Sequence, residues 1–323
     1  VQRPTVIVIC APGTPAPREF DVLAEEADII AVNDSAALRA AQDRAEIAVV
    51  WNFRSELIRA VGPGHLKWIH SNSVGLDCVL TPEVVAAPVV VTNTRGVYEP
   101  PIAEWVLAAV LYFVKDMRAT VELQQRATWR HRETSTLRGR RAVVLGPGAV
   151  GREIVALLRA VGMTVEVVGR HPRRDVQLGD IHGIGSLDTL LPHADDVVVA
   201  LPLTSNTRHV IDSQRLAHMQ PGGRLINVGR GALVDTDALL ESLRAGHLSG
   251  AALDVFEQEP LPSDHPFWSM SNVLVSPHMS GDTIGMQQRS VDLFRQNLQR
   301  WKIGAPLHDI VDKEALASGE PAA

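Results

Sequence analysis

Three polar side chains lie just after apolar runs in the second half of this 323-residue chain: Arg230 in Asn227-Val228-Gly229-Arg230-Gly231, Glu259 in the stretch Leu253–Pro260, and His278 in Ser276-Pro277-His278-Met279-Ser280-Gly281. Their types suit one another. An imidazole exchanges a proton near neutral pH. A neighbouring carboxylate would orient the ring and favour its protonated form. A guanidinium is a planar fork of donors that can grip a carboxylate and a carbonyl oxygen. The set fits delivery of a proton to an oxygen on which negative charge is growing, with Arg230 holding the reacting molecule. The other histidines show no metal-ligand spacing, and neither H-E-x-x-H nor C-x-x-C occurs, so no metal is expected.

A second chemical signal is Gly146-Pro147-Gly148-Ala149-Val150-Gly151. It follows the apolar run Ala142–Leu145 and precedes a segment with Val150, Ile154, Leu157 and Val161 at helical spacing. In a strand–turn–helix of this kind Gly146 permits the tight turn. Gly148 lets the backbone approach a dinucleotide pyrophosphate, and Gly151 lets helix and strand pack closely. The N–H groups of Ala149 and Val150 at the helix start then receive the phosphates. The next run, Val165–Val168, should end at the adenosine ribose, where an NAD site carries Asp or Glu. This chain has Gly169-Arg170-His171-Pro172-Arg173-Arg174 there. Arginines attract a 2′-phosphate through charge-assisted hydrogen bonds worth ~1.5–3 kcal/mol each. Two of them set a preference of roughly 10²–10⁴. The expected cofactor is NADP(H), with Arg170 and one of Arg173 or Arg174 on the phosphate.

The elements that must position these groups read as an α/β fold. In the first hundred residues the runs Thr5–Ile9, Ile29–Val32, Ile47–Trp51, Lys67–His70 and Val89–Thr92 alternate with helical segments, one opened by Thr81 and Pro82. Five such strands predict a small flavodoxin-like parallel sheet, without fixing the strand order. One long helix is expected over Pro101–Arg126. Six further runs follow: Ala142–Leu145, Thr164–Val168, Val197–Leu201, Leu225–Val228, Ala251–Phe256 and Val273–Val275. They make a second doubly wound sheet. A last helix is expected from an Asp282 N-cap to Lys302, stopped by Gly304, with a frayed tail beyond Asp312.

Composition limits the partners. There are 31 Lys+Arg against 37 Asp+Glu, a net charge of −6, which argues against nucleic acid or an anionic membrane. The longest apolar run, Trp105–Val114, is half of the ~20 residues that a membrane span needs. Val6–Cys10 is too short for the apolar core of a signal peptide, and the absence of an initiating Met suggests a trimmed start. Two cysteines, Cys10 and Cys78, cannot build a disulfide framework, so a reducing, cytoplasmic setting is expected.

Several blocks together resemble the D-isomer-specific 2-hydroxyacid dehydrogenase family: Gly146–Gly151, Leu201-Pro202-Leu203-Thr204 with Thr207, Asn227–Gly231, Leu253–Pro260 and Pro277–Gly281. The resemblance covers most of the chain, and Gly169–Arg173 is similar to the NADPH-linked glyoxylate/hydroxypyruvate reductases. It implies a Rossmann cofactor domain (98–282) inserted into a flavodoxin-like substrate domain (1–97 plus 283–323). Hinges would lie near Arg95–Glu99 and Gly281–Thr283, and a homodimer would form through the long helix. The implied reaction moves hydride between NADP(H) and a small 2-oxo acid, glyoxylate or hydroxypyruvate first, giving the D-hydroxy acid.

The resemblance also implies roles. Arg230, Glu259 and His278 are the catalytic set, with Arg230 and His278 touching substrate as well as cofactor. Gly146, Gly148, Ala149, Val150 and Gly151 hold the pyrophosphate. Gly169, Arg170, His171, Arg173 and Arg174 surround the ribose. Leu201, Pro202 and Thr207 line the cofactor, and Val228 and Gly229 meet its carboxamide. Asp254 lies near the nicotinamide, and Gly281 lets the backbone approach the ring. Ser73-Val74-Gly75-Leu76-Asp77 matches the family's G-x-G-x-D loop with serine in place of the first glycine, and the Val74 and Gly75 N–H groups would bind the substrate carboxylate. Trp51 and Arg54 could line the pocket, or serve as core packing and a solvated charge respectively. Formate dehydrogenases of this fold pair the histidine with glutamine, so Glu259 disfavours them. Phosphite dehydrogenases share the Arg–Glu–His set and stay open. So does a dinucleotide-sensing protein of the co-repressor type, which can retain it.

Overall fold

The computed structural model describes residues 3–52 and 55–313. Arg54 and the expected tail beyond Asp312, except Lys313, lie outside the described residues; Lys313 is not frayed, its Nζ donating to Val84 O, Ala87 O and Val89 O. The chain forms two compact units, Val1–Tyr98 with Thr283–Ala323, and Glu99–Asp282.

In the first unit the strands are β1 (Thr5–Ile9), β2 (Asp28–Val32), β3 (Ile47–Val50), β4 (Trp68–Ser71) and β5 (Val90–Asn93). They pair in parallel in the order β2-β1-β3-β4-β5. Both faces are covered, which is why the runs are apolar throughout rather than alternating. Ile7, Ile9, Ala48 and Val50 pack with residues of helices α1 (Ser35–Gln42), α2 (Leu57–Val61) and α3 (Pro82–Ala86). Val6, Val8, Ile47 and Val49 pack with Val291, Phe294 and Leu298 of the C-terminal helix, Met286–Lys302. That helix starts three residues later than the sequence suggests, with Gly285 rather than Asp282 as its N-cap. Gly285 at φ 76° breaks the helical path, and the Asp282 N–H is bound back to Met279 O. At α3 the Thr81 hydroxyl accepts the Val84 N–H at 3.3 Å, as an N-cap should.

The core of this unit encloses His70, 1% exposed. The Thr92 hydroxyl accepts the Trp68 indole N–H at 2.8 Å and donates to His70 Nδ1 at 2.8 Å. His70 Nε2 donates to Thr94 Oγ1 at 3.3 Å. Every ring nitrogen is satisfied in the neutral form, and burial pulls the imidazole down from its ordinary 6.5 to about 3. Between those values the unfolded chain binds a proton that the folded one refuses. Stability therefore falls as pH drops below 6.5, by about 1.4 kcal/mol per unit. Urea unfolding at pH 7 and pH 5 should show a loss smaller by about 2 kcal/mol in His70→Gln than in the wild type. Equal losses would contradict this account.

The second unit opens with α4 (Glu99–Val114) and α5 (Met117–Gln125). The single long helix expected here is broken, because Asp116 adopts φ 45°. The break is held by Arg132, whose guanidinium donates to Asp116 Oδ2 at 3.0 Å and to Asp116 O at 2.6 Å. Helix α4 packs on α6 (Ala149–Ala160) through Ala103, Val106 and Val110 against Ile154, Val155 and Leu158. The buried stripe of α6 thus runs through Gly151, Ile154, Val155 and Leu158, with Val150, Leu157 and Val161 at its margin.

Eight strands make the sheet: β6 (Arg141–Leu145), β7 (Thr164–Gly169), β8 (Arg173–Asp175), β9 (Gly179–Gly183), β10 (Asp196–Val199), β11 (Arg224–Asn227), β12 (Gly250–Leu253) and β13 (Val273–Val275). Their order is β13-β12-β11-β10-β6-β7-β9-β8, parallel except for the β8–β9 pair. Sequence reading finds six of them. It misses β8 and β9 because both are short and mostly polar, without an apolar run. The chain winds outward from β6 through β7 to β9, then returns to build β10 to β13 on the other side of β6. That reversal opens a crevice at the carboxyl ends of β6 and β10.

Candidate active site

The carboxyl ends of three adjacent strands carry the catalytic candidates. Arg230 follows β11, Glu259 follows β12 and His278 follows β13. His278 Nδ1 lies 2.8 Å from Glu259 Oε2. Glu259 Oε1 accepts the Phe256 N–H at 3.1 Å, so the carboxylate is fixed at both oxygens. The two side chains are only 22% and 19% exposed, which keeps the pair partly shielded from water.

His278 has φ 56°, a conformation that costs a non-glycine residue on the order of 1–3 kcal/mol. Asp254, 1% exposed, holds the loop in that shape. Its Oδ1 accepts the Ser276 hydroxyl at 2.6 Å and the Met279 N–H at 2.9 Å, and its Oδ2 accepts the Ser280 N–H at 3.0 Å. Both Asp254 oxygens are thus spent on the residues that flank His278. Gly281 continues the same loop. Asp282 comes next, its carboxyl pushed up by burial and by the charge of Asp254, with His278 opposing.

The Arg230 turn is built with equal constraint. The buried Asn227 donates from Nδ2 to Arg230 O at 3.0 Å and accepts the Gly229 N–H on Oδ1 at 3.1 Å. Arg230 Nη1 donates to Gly229 O at 2.8 Å. A Cβ on Gly229 would lie 2.9 Å from Leu201 O, and one on Gly231 would lie 1.8 Å from the Phe256 carbonyl carbon. The Arg230 turn and the Glu259 loop therefore touch backbone to backbone. Sequence reading missed the roles of Asn227, Ser276 and Gly231. Asn227 and Ser276, polar residues at the carboxyl ends of apolar runs, were the available signal.

The glycine turn follows β6. Gly146 has φ 116°, and a Cβ there would lie 2.4 Å from Ala200 O. A Cβ on Gly151 would lie 1.7 Å from Gly146 O, whereas one on Gly148 would meet no atom within 4 Å. Two glycines are thus required by packing, and the third faces open space. Gly148 is the N-cap of α6 and offers no side-chain cap, so the helix opens at Ala149 and Val150. This turn fits a dinucleotide pyrophosphate. Leu201, Pro202 and Thr207 occupy the loop after β10, drawn together by Thr207 Oγ1 donating to Pro202 O at 2.7 Å. Val228 and Gly229 are buried behind Arg230.

Strand β7 ends at Gly169, where a Cβ would lie 3.0 Å from Pro147 Cγ of the glycine turn. Arg170 and His171 follow, both exposed. Arg173 and Arg174 belong to the edge strand β8 rather than to a loop, so their side chains point to opposite faces. Asp175 is the acid nearest to them in sequence. Arg152, then the N–H groups of Leu178 and Gln177, hold its carboxyl well below the usual range, so Asp175 is already paired.

Trp51, Val74 and Gly75 lie in the first unit. Trp51 is half-buried and meets Phe20 edge-on, ring centroids 5.2 Å apart. The Gly75 N–H donates to Ser73 Oγ at 3.1 Å, so the serine that replaces the family glycine occupies a donor expected for a carboxylate. Among the described residues no cluster of three or more His, Cys, Asp or Glu could hold a metal.

With this geometry in view, the likeness to known proteins is specific. The sequence profile of the D-isomer specific 2-hydroxyacid dehydrogenase NAD-binding domain matches residues 107–280. A glyoxylate reductase of Thermofilum pendens is 33% identical over 260 residues, 78% of this chain and 76% of its own. Glyoxylate/hydroxypyruvate reductase A of Serratia proteamaculans is 29% identical, over 83% of this chain and 86% of its own. The crystal structure of an NADPH-dependent glyoxylate/hydroxypyruvate reductase from Sinorhizobium meliloti, in complex with NADP and sulfate, matches with a TM-score of 0.81 at 27% identity, covering 97% of this chain and 99% of that one. The chain belongs to the D-isomer specific 2-hydroxyacid dehydrogenase family. Its second unit is the Rossmann dinucleotide-binding domain of that oxidoreductase family.

The close backbone contact at Gly231 yields a test. Gly231→Ala forces the Arg230 turn and the Glu259 loop apart, and a shift of about 1 Å at a catalytic group costs roughly 10² in rate. We expect kcat/KM to fall by about that factor while the dinucleotide is still bound, as read by steady-state kinetics and cofactor titration. Unchanged kcat/KM would show that the contact does not set the site.

Proposed function

We propose that this protein is an NADPH-dependent reductase of small 2-oxo acids, glyoxylate or hydroxypyruvate first, forming the D-2-hydroxy acid. The observation that carries the reading is the 2.8 Å bond between His278 Nδ1 and Glu259 Oε2. With Nδ1 held there, Nε2 is the nitrogen that delivers a proton to the substrate's carbonyl oxygen. Glu259 orients the ring and balances its charge. Arg230 anchors the substrate carboxylate through its planar fork. When bound, the reduced nicotinamide supplies the hydride. Gly146–Gly151, the loop with Leu201, Pro202 and Thr207, and the backbone of Val228–Arg230 are the residues that would hold the dinucleotide.

NADPH is favoured over NADH because the end of β7 offers Gly169 and Arg170 where an NAD site needs an acid. Arg173 or Arg174 of β8 supplies a second cation for the 2′-phosphate. The NADP-bound relative from Sinorhizobium meliloti supports this choice. We further propose a homodimer. Helix α5 has no buried residue, and Trp129 just beyond it is wholly exposed, a costly arrangement for a lone chain. A cytoplasmic setting is proposed from the two buried thiols, Cys10 and Cys78.

Steady-state assays of glyoxylate, hydroxypyruvate, pyruvate and bulkier 2-oxo acids against both reduced cofactors test the reading. Turnover should be best with a two- or three-carbon acid and NADPH. Arg170→Ala should raise KM for NADPH about 10-fold or more and leave NADH almost unchanged. No turnover across the panel, or an unaltered cofactor preference, would contradict the respective claims. Light scattering of the same preparation should give twice the 35.0 kDa chain mass.

A further inference from the structure

We propose that His209 and Glu257 form a positioning pair that holds the catalytic carboxylate loop in register. The inference rests on the reading of Glu259 as His278's partner. His209 Nε2 lies 2.6 Å from Glu257 Oε1. His209 sits at φ 49°, and its N–H donates to Ala232 O at 2.8 Å. The left-handed backbone at His209 follows the loop that carries Thr207. Glu257 lies between Phe256, whose N–H binds Glu259 Oε1 at 3.1 Å, and Glu259 itself. One contiguous set of contacts thus runs from His209 through Glu257 and the Phe256 N–H to Glu259 and His278.

The loop needs such a restraint. Its inner side packs the Phe256–Glu257 peptide directly against Gly231. Its outer side borders a cavity of about 250 Å³ lined by His209, Asp235, Phe256, Glu257, Leu261 and His265, and the His209–Glu257 bond lies on that side. The pair is partly open to water, 40% and 37% exposed, and a polar pair so exposed adds little to overall stability. A short, charge-assisted bond that contributes little to folding yet ties two loops at the site is suited to orienting a neighbour. Glu257 and His209 touch no reacting atom. They act through Glu259.

The test compares Glu257→Ala and Glu257→Gln with the wild type. Alanine removes the acceptor, whereas glutamine keeps one. We expect Glu257→Ala to lower kcat about 10-fold, with KM for the 2-oxo acid and Kd for NADPH within about twofold, and Tm within about 2 °C. Glu257→Gln should recover most of the rate. Diethyl pyrocarbonate labelling of His278, read by peptide mass spectrometry, should quicken several-fold in the alanine variant and not in the glutamine variant. This readout needs no turnover, so it decides the proposal even if the wild type reduces no 2-oxo acid, a result that would sink the proposed function alone. Unchanged kcat and labelling in Glu257→Ala, a rate loss that tracks a fallen Tm, or no recovery by glutamine would each overturn the positioning role.

Discussion

The structure of the site depends on one bond, the imidazole–carboxylate contact between His278 and Glu259. A histidine on a mobile loop is a poor acid, because its ring samples many orientations and its proton has no fixed direction. Here the ring is tied at Nδ1 and the backbone beneath it is held in a left-handed conformation. Asp254 supplies that second constraint. A buried carboxylate is costly unless its oxygens are satisfied, and Asp254 meets the requirement by accepting three hydrogen bonds from the residues on either side of His278. The same interactions that make Asp254 tolerable in the core keep His278 in place.

The parallel sheet makes this economical. Its parallel strands, all but β8, end on one side, so three adjacent strand ends carry Arg230, Glu259 and His278 without long loops. The turns are then fixed by glycines whose missing side chains let backbones touch: Gly146 against Ala200, Gly229 against Leu201 and Gly231 against Phe256. Rigid turns on a rigid sheet are what a proton transfer over hydrogen-bond distances demands.

Much of this was legible in the sequence. The strands of both sheets that face helices on two sides announce themselves as continuous apolar runs, and the glycine turn and the three polar residues follow such runs directly. What failed was locally ambiguous. Asp116 breaks a helix that periodicity extends to Arg126, because a left-handed aspartate is stabilised by Arg132, a partner sixteen positions away. Strands β8 and β9 carry no apolar signal. The start of the C-terminal helix was set by Gly285 rather than by Asp282. The pairing of Glu259 with His278 could be named from residue types, but the hydrogen bonds of Asp254 could not. The resemblance places Asp254 near the nicotinamide, and only the folded loop shows that both its oxygens serve the neighbours of His278. The Ser73–Gly75 bond likewise depends on a side-chain rotamer that no spacing rule reveals.

The central claim is that Glu259 and His278 act as a unit. The most direct measurement is a double-mutant cycle on kcat with Glu259→Ala, His278→Gln and the double variant. If the carboxylate works only through the ring, the double variant loses no more activity than His278→Gln alone. If the two losses multiply instead, Glu259 acts independently of His278 and the account is wrong.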